Sequence, residues 1–144
     1  MGVAPENSHL DRASRGPSDF VGALLQPGER IVSILPDAYG GRWPKLVVLI
    51  LPTIVLAQAP NYSLVATDRR LMLLGRSKVT GRPTAVMMEI PRTGLRVTEY
   101  NRGMLWSVLT LVSPGMPELT LNVRRAARKY ADDLVRALDP ARLP

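Results

Sequence analysis

Short apolar runs separated by glycine, proline and charged residues recur from residue 29 onward, and this pattern predicts β-strands joined by tight turns. The segment GLRVTEY (94–100) shows the period most clearly, because Leu95, Val97 and Glu99 alternate with polar neighbours and so fall on one face. The predicted strands are, in order, 29–35, 62–66, 70–74, 84–90, 94–100, 104–112 and 119–123. The pattern therefore predicts seven strands.

One helix is predicted before these strands in the sequence and another after them. After residue 124 the apolar period changes to that of an α-helix, and Asp139-Pro140 ends it. Its apolar stripe contains Ala127, Ala131, Leu134 and Leu138. Near the N-terminus, Ser18 is a candidate cap for a short helix through DFVGALL, and residues 1–17 lack periodicity. We expect a flexible tail over 1–17 and a single domain over 18–140.

The segment KLVVLILPTIVLAQA (45–59) is the most apolar in the chain, within a predicted insertion over 42–60 after the first strand. As a helix, residues 46–57 would span about 18 Å, short of the roughly 30 Å hydrocarbon core, and Pro52 interrupts them. Because the strands LVA and LMLL are apolar on both faces, either this insertion or a partner subunit is predicted to cover the outer face. The other interpretation is a loop that dips into a bilayer. The candidate membrane or partner contacts are Trp43, Leu46, Val47, Leu49, Ile50, Leu51, Ile54, Val55 and Leu56.

Composition narrows the classes of chemistry. A chain of 144 residues fits one domain, and its net charge of +7 attracts anionic lipid or nucleic acid. Cysteine is absent and His9 is the sole histidine, so thiolate sites, histidine cages for metals and a Ser-His-Asp arrangement are excluded within one chain. Charged residues interrupt any N-terminal signal sequence, so we expect a cytoplasmic protein. We predict no catalytic residues, cofactor or metal.

Basic residues in the insertion and in two predicted turns are the candidate anion contacts. The polar TDRR stretch (67–70) reads as a hairpin bend, for which turn chemistry explains Asp68 and Arg70, whereas Arg69 remains a candidate. The next loop, GRSKVTGRP (75–83), lacks the spacing of a phosphate-binding P-loop. The predicted contacts to anions or lipid headgroups are Arg42, Lys45, Arg69, Arg76, Lys78 and Arg82.

Four segments resemble bacterial pleckstrin-homology (PH)-like domain proteins. They are LLQPGERIVSIL (24–35), YSLVATDRRLMLL (62–74), MEIPRTGLRV (88–97) and LTLNVRRAARKYADDLVRAL (119–138). The resemblance covers most of residues 24–138, and the Thr-Asp-Arg-Arg hairpin is its most specific element. It implies a mainly β fold: a seven-stranded, partly open barrel or sandwich capped by the C-terminal helix.

This fold serves as a scaffold for lipid headgroups, peptides and protein partners, so it implies an interaction role without fixing the ligand. We expect a non-catalytic PH-like module at or near the inner membrane face, which contacts an anionic membrane surface or a membrane protein. The alternative is a soluble homo-oligomeric scaffold whose apolar insertion is a subunit interface. The seven aromatic residues are not clustered in sequence, which argues against nucleic acid as the partner.

Overall fold

A computed structural model describes residues 15–41 and 60–140 of the chain. Helix α1 occupies residues 15–22. The strands are β1 (Ile31–Gly40), β2 (Asn61–Thr67), β3 (Arg70–Arg76), β4 (Pro83–Pro91), β5 (Arg96–Arg102), β6 (Trp106–Val112) and β7 (Leu119–Arg124). A 3-10 turn (Arg125–Ala127) leads into helix α2 (Arg128–Leu138). The predicted mainly β class, with seven strands and a C-terminal helix, is confirmed.

The seven strands form one antiparallel sheet in the order β4-β3-β2-β1-β7-β6-β5. The sheet does not close, since β4 and β5 each have a single neighbour. Strand β1 pairs with β2 along most of its length but with β7 only through Tyr39 and Gly40. The sheet therefore opens between β1 and β7, and α2 packs against both strands there.

Strand β1 is longer than the sequence pattern predicts. It continues past Leu35 to Gly40, and the register with β2 shifts between Leu35 and Ala38. Pro36 lies within this irregularity, where a missing backbone N–H is tolerated, and its carbonyl accepts a hydrogen bond from Ser63 Oγ at 2.7 Å. The predicted end of this strand at Leu35, directly before Pro36, was therefore wrong.

The main core lies between the inner face of the sheet and α2. Leucines from β1, β2, β6 and β7 meet the buried Ala131, Leu134 and Val135 of the helix. Arg92 ties the end of α2 to the sheet, because its guanidinium donates to the carbonyl oxygens of Thr67 (2.9 Å) and Ala137 (3.0 Å). That second bond satisfies a carbonyl at the helix C-terminus, where intrahelical donors run out.

A second, smaller core lies on the outer face of the sheet, under the N-terminal helix. Val21 of α1 is fully buried against Val65, Met72 and Leu74, and Phe20, Leu25, Ile31, Ile34 and Val86 pack around them. The prediction that the insertion or a partner subunit covers this face missed the helix that does so. The helix also includes residues 15–17, which the sequence assigned to the flexible tail, and Pro17 is buried.

Candidate functional site

The predicted anion contacts do not form one cluster. Arg69 lies in the turn between β2 and β3, whereas Arg76, Lys78 and Arg82 lie at the other end of β3. The six residue steps of β3 separate these ends by about 20 Å. The other predicted contacts lie outside the described residues: Arg42, Trp43, Lys45, Leu46, Val47, Leu49, Ile50, Leu51, Ile54, Val55 and Leu56.

Arg69 is bound by the turn that precedes β1. Its guanidinium donates to Gln26 Oε1 at 3.0 Å and to the carbonyl oxygen of Pro27 at 3.1 Å. Gly28 has a φ of 80°, a backbone conformation that other L residues rarely adopt, so this turn favours glycine. The side chain of Arg69 therefore fastens one turn to another.

Arg70 and Glu29 form a buried ion pair beside it. Arg70 Nε lies 2.9 Å from Glu29 Oε2, and Arg70 Nη2 lies 3.0 Å from Oε1. Thr67 Oγ1 donates to Oε2 at 2.6 Å, and the backbone N–H of Gln26 donates to Oε1 at 2.9 Å. The hydrogen bond from Arg70 chiefly, then those from Thr67 and Gln26, lower the pKa of Glu29 to about 2 although burial opposes the shift. Glu29 is therefore ionised at neutral pH.

Arg76 is engaged with a second buried carboxylate. Its Nη1 lies 2.7 Å from Asp37 Oδ1, and its Nε donates to the carbonyl oxygen of Gly81 at 3.1 Å. Arg124 of β7 binds the other oxygen of Asp37. Two guanidinium groups thus share one carboxylate on the outer face of the sheet, and the trio keeps one net positive charge. The guanidinium of Arg76 is therefore engaged in contacts within the protein.

The β3–β4 loop is a compact structure that holds its basic residues outward. The backbone N–H of Ser77 donates to the carbonyl oxygen of Arg82 at 3.0 Å, and Gly81 N–H donates back to Ser77 O at 2.8 Å. Ser77 Oγ accepts hydrogen bonds from the N–H groups of Val79 and Thr80. The loop leaves Lys78 and Arg82 exposed, and Val79 between them is 94% exposed.

This basic loop is close to the point where the chain enters and leaves residues 42–59. Gly40 N–H donates to Pro60 O at 2.9 Å, and Gly41 N–H donates to Thr120 O at 3.1 Å, so both flanks of the segment are fastened to the sheet. Tyr62, two residues after Pro60, pairs with Gly75 at the end of β3. We call this side of the molecule the loop end: it comprises Gly41, Pro60 and the loops 77–82 and 113–118.

A second basic surface lies at the β5–β6 turn, where the sequence predicted no contact. Met104 and Leu105 were assigned to a strand, but β6 begins only at Trp106 and both side chains are exposed at the turn. Arg102 precedes this turn and Arg125 is bonded to it, although 23 residues separate them in sequence. The signal available in the sequence was a pair of apolar residues directly after the turn residues Asn101-Arg102-Gly103.

Two observations on the described part of the chain bear on its chemistry. Within residues 15–41 and 60–140, no three His, Cys, Asp or Glu side chains are grouped so that they could hold a metal ion. Over the same ranges, neither the length nor the apolar character of any helix suffices to cross a membrane.

No protein-family model matches the chain, and no curated protein matches it. The resemblance to bacterial PH-like proteins is therefore a prediction that rests on its motifs. Two of those motifs meet in the structure, since Glu29 of the first and Arg70 of the second are the halves of one buried ion pair.

Proposed function

We propose that this chain is a non-catalytic, PH-like interaction module that contacts the anionic inner face of the cell membrane through its loop end. The open seven-stranded sheet and the C-terminal helix support this proposal, because they are the architecture that the resemblance implies. Fold alone does not carry function, so the proposal depends on the surface.

The observation that carries the proposal is the exposed Val79 between Lys78 and Arg82. An apolar side chain at the apex of a structured loop can enter the interfacial region of a bilayer, while cations beside it contact lipid phosphates. The two hydrogen bonds that Ser77 Oγ accepts and the one that Arg76 Nε donates fix the loop in advance. Binding would therefore cost little ordering entropy.

The described flanks of residues 42–59 and the sequence between them add support. The chain leaves the sheet at Gly41 and returns at Pro60, both at the loop end. The sequence between them is the most apolar in the chain and carries Arg42, Trp43 and Lys45, residue types found at membrane interfaces. The two anchor points and the composition of the sequence between them therefore favour the loop end as the side that contacts the membrane.

Charge reversal of the loop tests the proposal. A basic residue near an anionic membrane contributes about 1 kcal/mol, so Lys78→Glu with Arg82→Glu removes at least about 2 kcal/mol, or roughly 30-fold in partition. The matched control reverses two exposed arginines outside the loop end, Arg30→Glu beside the β2–β3 turn and Arg136→Glu on α2, and changes the net charge equally.

The measurement is co-sedimentation with vesicles of phosphatidylcholine alone or with 30% phosphatidylserine, at low and moderate salt. We expect the loop variant to lose binding to the anionic vesicles and the control to keep most of it. Equal losses in the two variants would mean that net charge alone drives binding. A stable oligomer in solution without vesicle binding would favour the alternative, a homo-oligomeric scaffold.

A further inference from the structure

The turn between β5 and β6 presents two apolar side chains at its apex. Met104 is 82% exposed and Leu105 is 54% exposed. The turn is tight, because Gly103 N–H donates to Trp106 O at 2.9 Å, and a Cβ on Gly103 would lie 2.3 Å from that oxygen. A glycine is therefore required here, and the next two residues, Met104 and Leu105, lie at the apex of the turn.

Cations surround this apex. Arg102 lies on its β5 side, and Arg125, Arg128 and Lys129 lie on the first turns after β7. Asp132 pairs with one of these cations: its Oδ2 lies 3.3 Å from Arg102 Nη2, and its Oδ1 accepts a hydrogen bond from Tyr100 at 2.5 Å. We call Arg102, Met104, Leu105, Arg125, Arg128 and Lys129 the hairpin surface. Its charge is strongly positive.

Hydrogen bonds clamp the hairpin surface into one shape. The backbone N–H of Arg125 donates to Leu105 O at 3.0 Å. Arg128 donates through Nη2 to the carbonyl oxygen of Gly103 and through Nε to Ser107 Oγ at 3.3 Å. The apex is thus fixed to the start of α2 before any ligand arrives, which lowers the entropy cost of binding.

We propose that the hairpin surface is a second membrane contact, in which Met104 and Leu105 enter the interfacial region of an anionic bilayer and the surrounding cations contact lipid phosphates. This inference rests on the proposed function. The apex is convex, and a deformable lipid surface accepts a convex apolar tip without a preformed pocket, whereas a protein partner must supply one. The charge is complementary to anionic headgroups.

The outer face of the sheet connects this surface to the basic loop. Arg76, which directly precedes the loop, and Arg124 bind the two oxygens of Asp37. Arg124 is the cross-strand neighbour of Trp106, which directly follows Leu105. The β5–β6 turn nevertheless lies at the opposite end of β6 from the loop 113–118, so the hairpin surface is a contact separate from the loop end.

The first test removes the apolar tip and one cation separately. Met104→Ser with Leu105→Ser, and Arg125→Glu alone, should each weaken partition into vesicles with 30% phosphatidylserine by about fivefold or more. The matched controls are Met87→Ser, at a methionine that is 60% exposed on edge strand β4, and Arg30→Glu, at an exposed arginine beside the β2–β3 turn. Both controls should bind as the wild type does.

A second readout reports the depth of the tip directly. Because the chain has no cysteine, Met104→Cys accepts a single environment-sensitive dye, and Met87→Cys gives the control. We expect the dye at 104 to become brighter and shift to the blue with anionic vesicles, and the dye at 87 to stay unchanged. If wild type binds but the dye at 104 stays in water and the tip variants bind normally, the hairpin inference is overturned and the proposed function stands. If wild type does not bind, both are overturned.

Discussion

Replacing Arg70 with methionine tests the role of the TDRR turn most sharply. Arg70 donates two hydrogen bonds to Glu29, one to Glu89 at 3.0 Å and one to the carbonyl oxygen of Leu24 at 2.8 Å. Methionine keeps the unbranched apolar stem of the side chain but none of these donors. The carboxylate of Glu29, whose side chain is fully buried, would be left with only Thr67 and the backbone of Gln26.

The cost follows from the burial of this pair. Breaking a buried ion pair on one side costs about 3–5 kcal/mol, because an uncompensated charge stays behind. Arg70 keeps 15% of its side chain exposed and Glu89 is half exposed, so we expect the lower end, about 3 kcal/mol. In a domain of this size, that lowers the midpoint of thermal unfolding by roughly 6–12 °C.

The assay is urea unfolding at pH 7, monitored by tryptophan fluorescence. Arg69→Met is the matched control. This variant loses the two hydrogen bonds that Arg69 donates to exposed partners, and we expect its free energy of unfolding to fall by less than about 1 kcal/mol. Adding Glu29→Gln to Arg70→Met should restore about 1–2 kcal/mol, because the buried charge is gone. Equal costs at Arg69 and Arg70, or no recovery in the double variant, would refute this account of the ion pair.

Three further predictions concern stability. The pKa of Glu29 is about 2 in the folded protein against 4.5 ordinarily, so its carboxylate stabilises the fold above pH 4.5 and this contribution fades as pH falls toward 2. The difference in free energy of unfolding between wild type and Glu29→Gln, measured by urea unfolding, should therefore narrow as the pH falls from 4.5 to 2. A constant difference would contradict this prediction. Asp37→Asn removes the charge that two arginines share, and calorimetry should show a loss of about 2–3 kcal/mol; a neutral effect would contradict the buried trio. Arg92→Ala removes the donor to Ala137 and should cost about 1 kcal/mol, with faster amide exchange at the end of α2 but not at its start.

The sequence predicted the elements well because each strand and the C-terminal helix buries one face. The alternation at Leu95 and Val97 and the stripe at Ala131 and Leu134 report that burial directly, and all four are core residues. Pro36 was misleading, since its lack of a donor usually ends a strand, and the pattern holds no information about the register shift that accommodates it.

The cover of the outer face was harder to assign. The apolar character of Val65, Met72 and Leu74 correctly indicated a cover, but α1 is short and its apolar residues are few. The cover was therefore assigned to the far more apolar segment 45–59 or to a partner subunit. High hydrophobicity indicates that a segment is buried or bound, but it does not indicate which surface it contacts.

The basic surfaces were the least predictable part. Arg69 and Arg76 lie seven positions apart in sequence, which suggested one cluster, yet a strand carries them to opposite ends of the sheet. Arg102 and Arg125 show the reverse. They are 23 positions apart in sequence, but the hydrogen bond from Arg125 N–H to Leu105 O holds Arg125 at the turn that follows Arg102. Long-range pairing decides which charges meet, and composition alone does not encode it.

The central claim is that this chain binds anionic membranes, and the most direct measurement is the partition of the wild-type protein into vesicles with 30% phosphatidylserine compared with phosphatidylcholine alone. Lys78 and Arg82 alone contribute about 2 kcal/mol near an anionic surface, so we predict a preference of at least about 30-fold at low salt that declines as salt is added. Equal partition into the two kinds of vesicle, or none into either, would contradict the account.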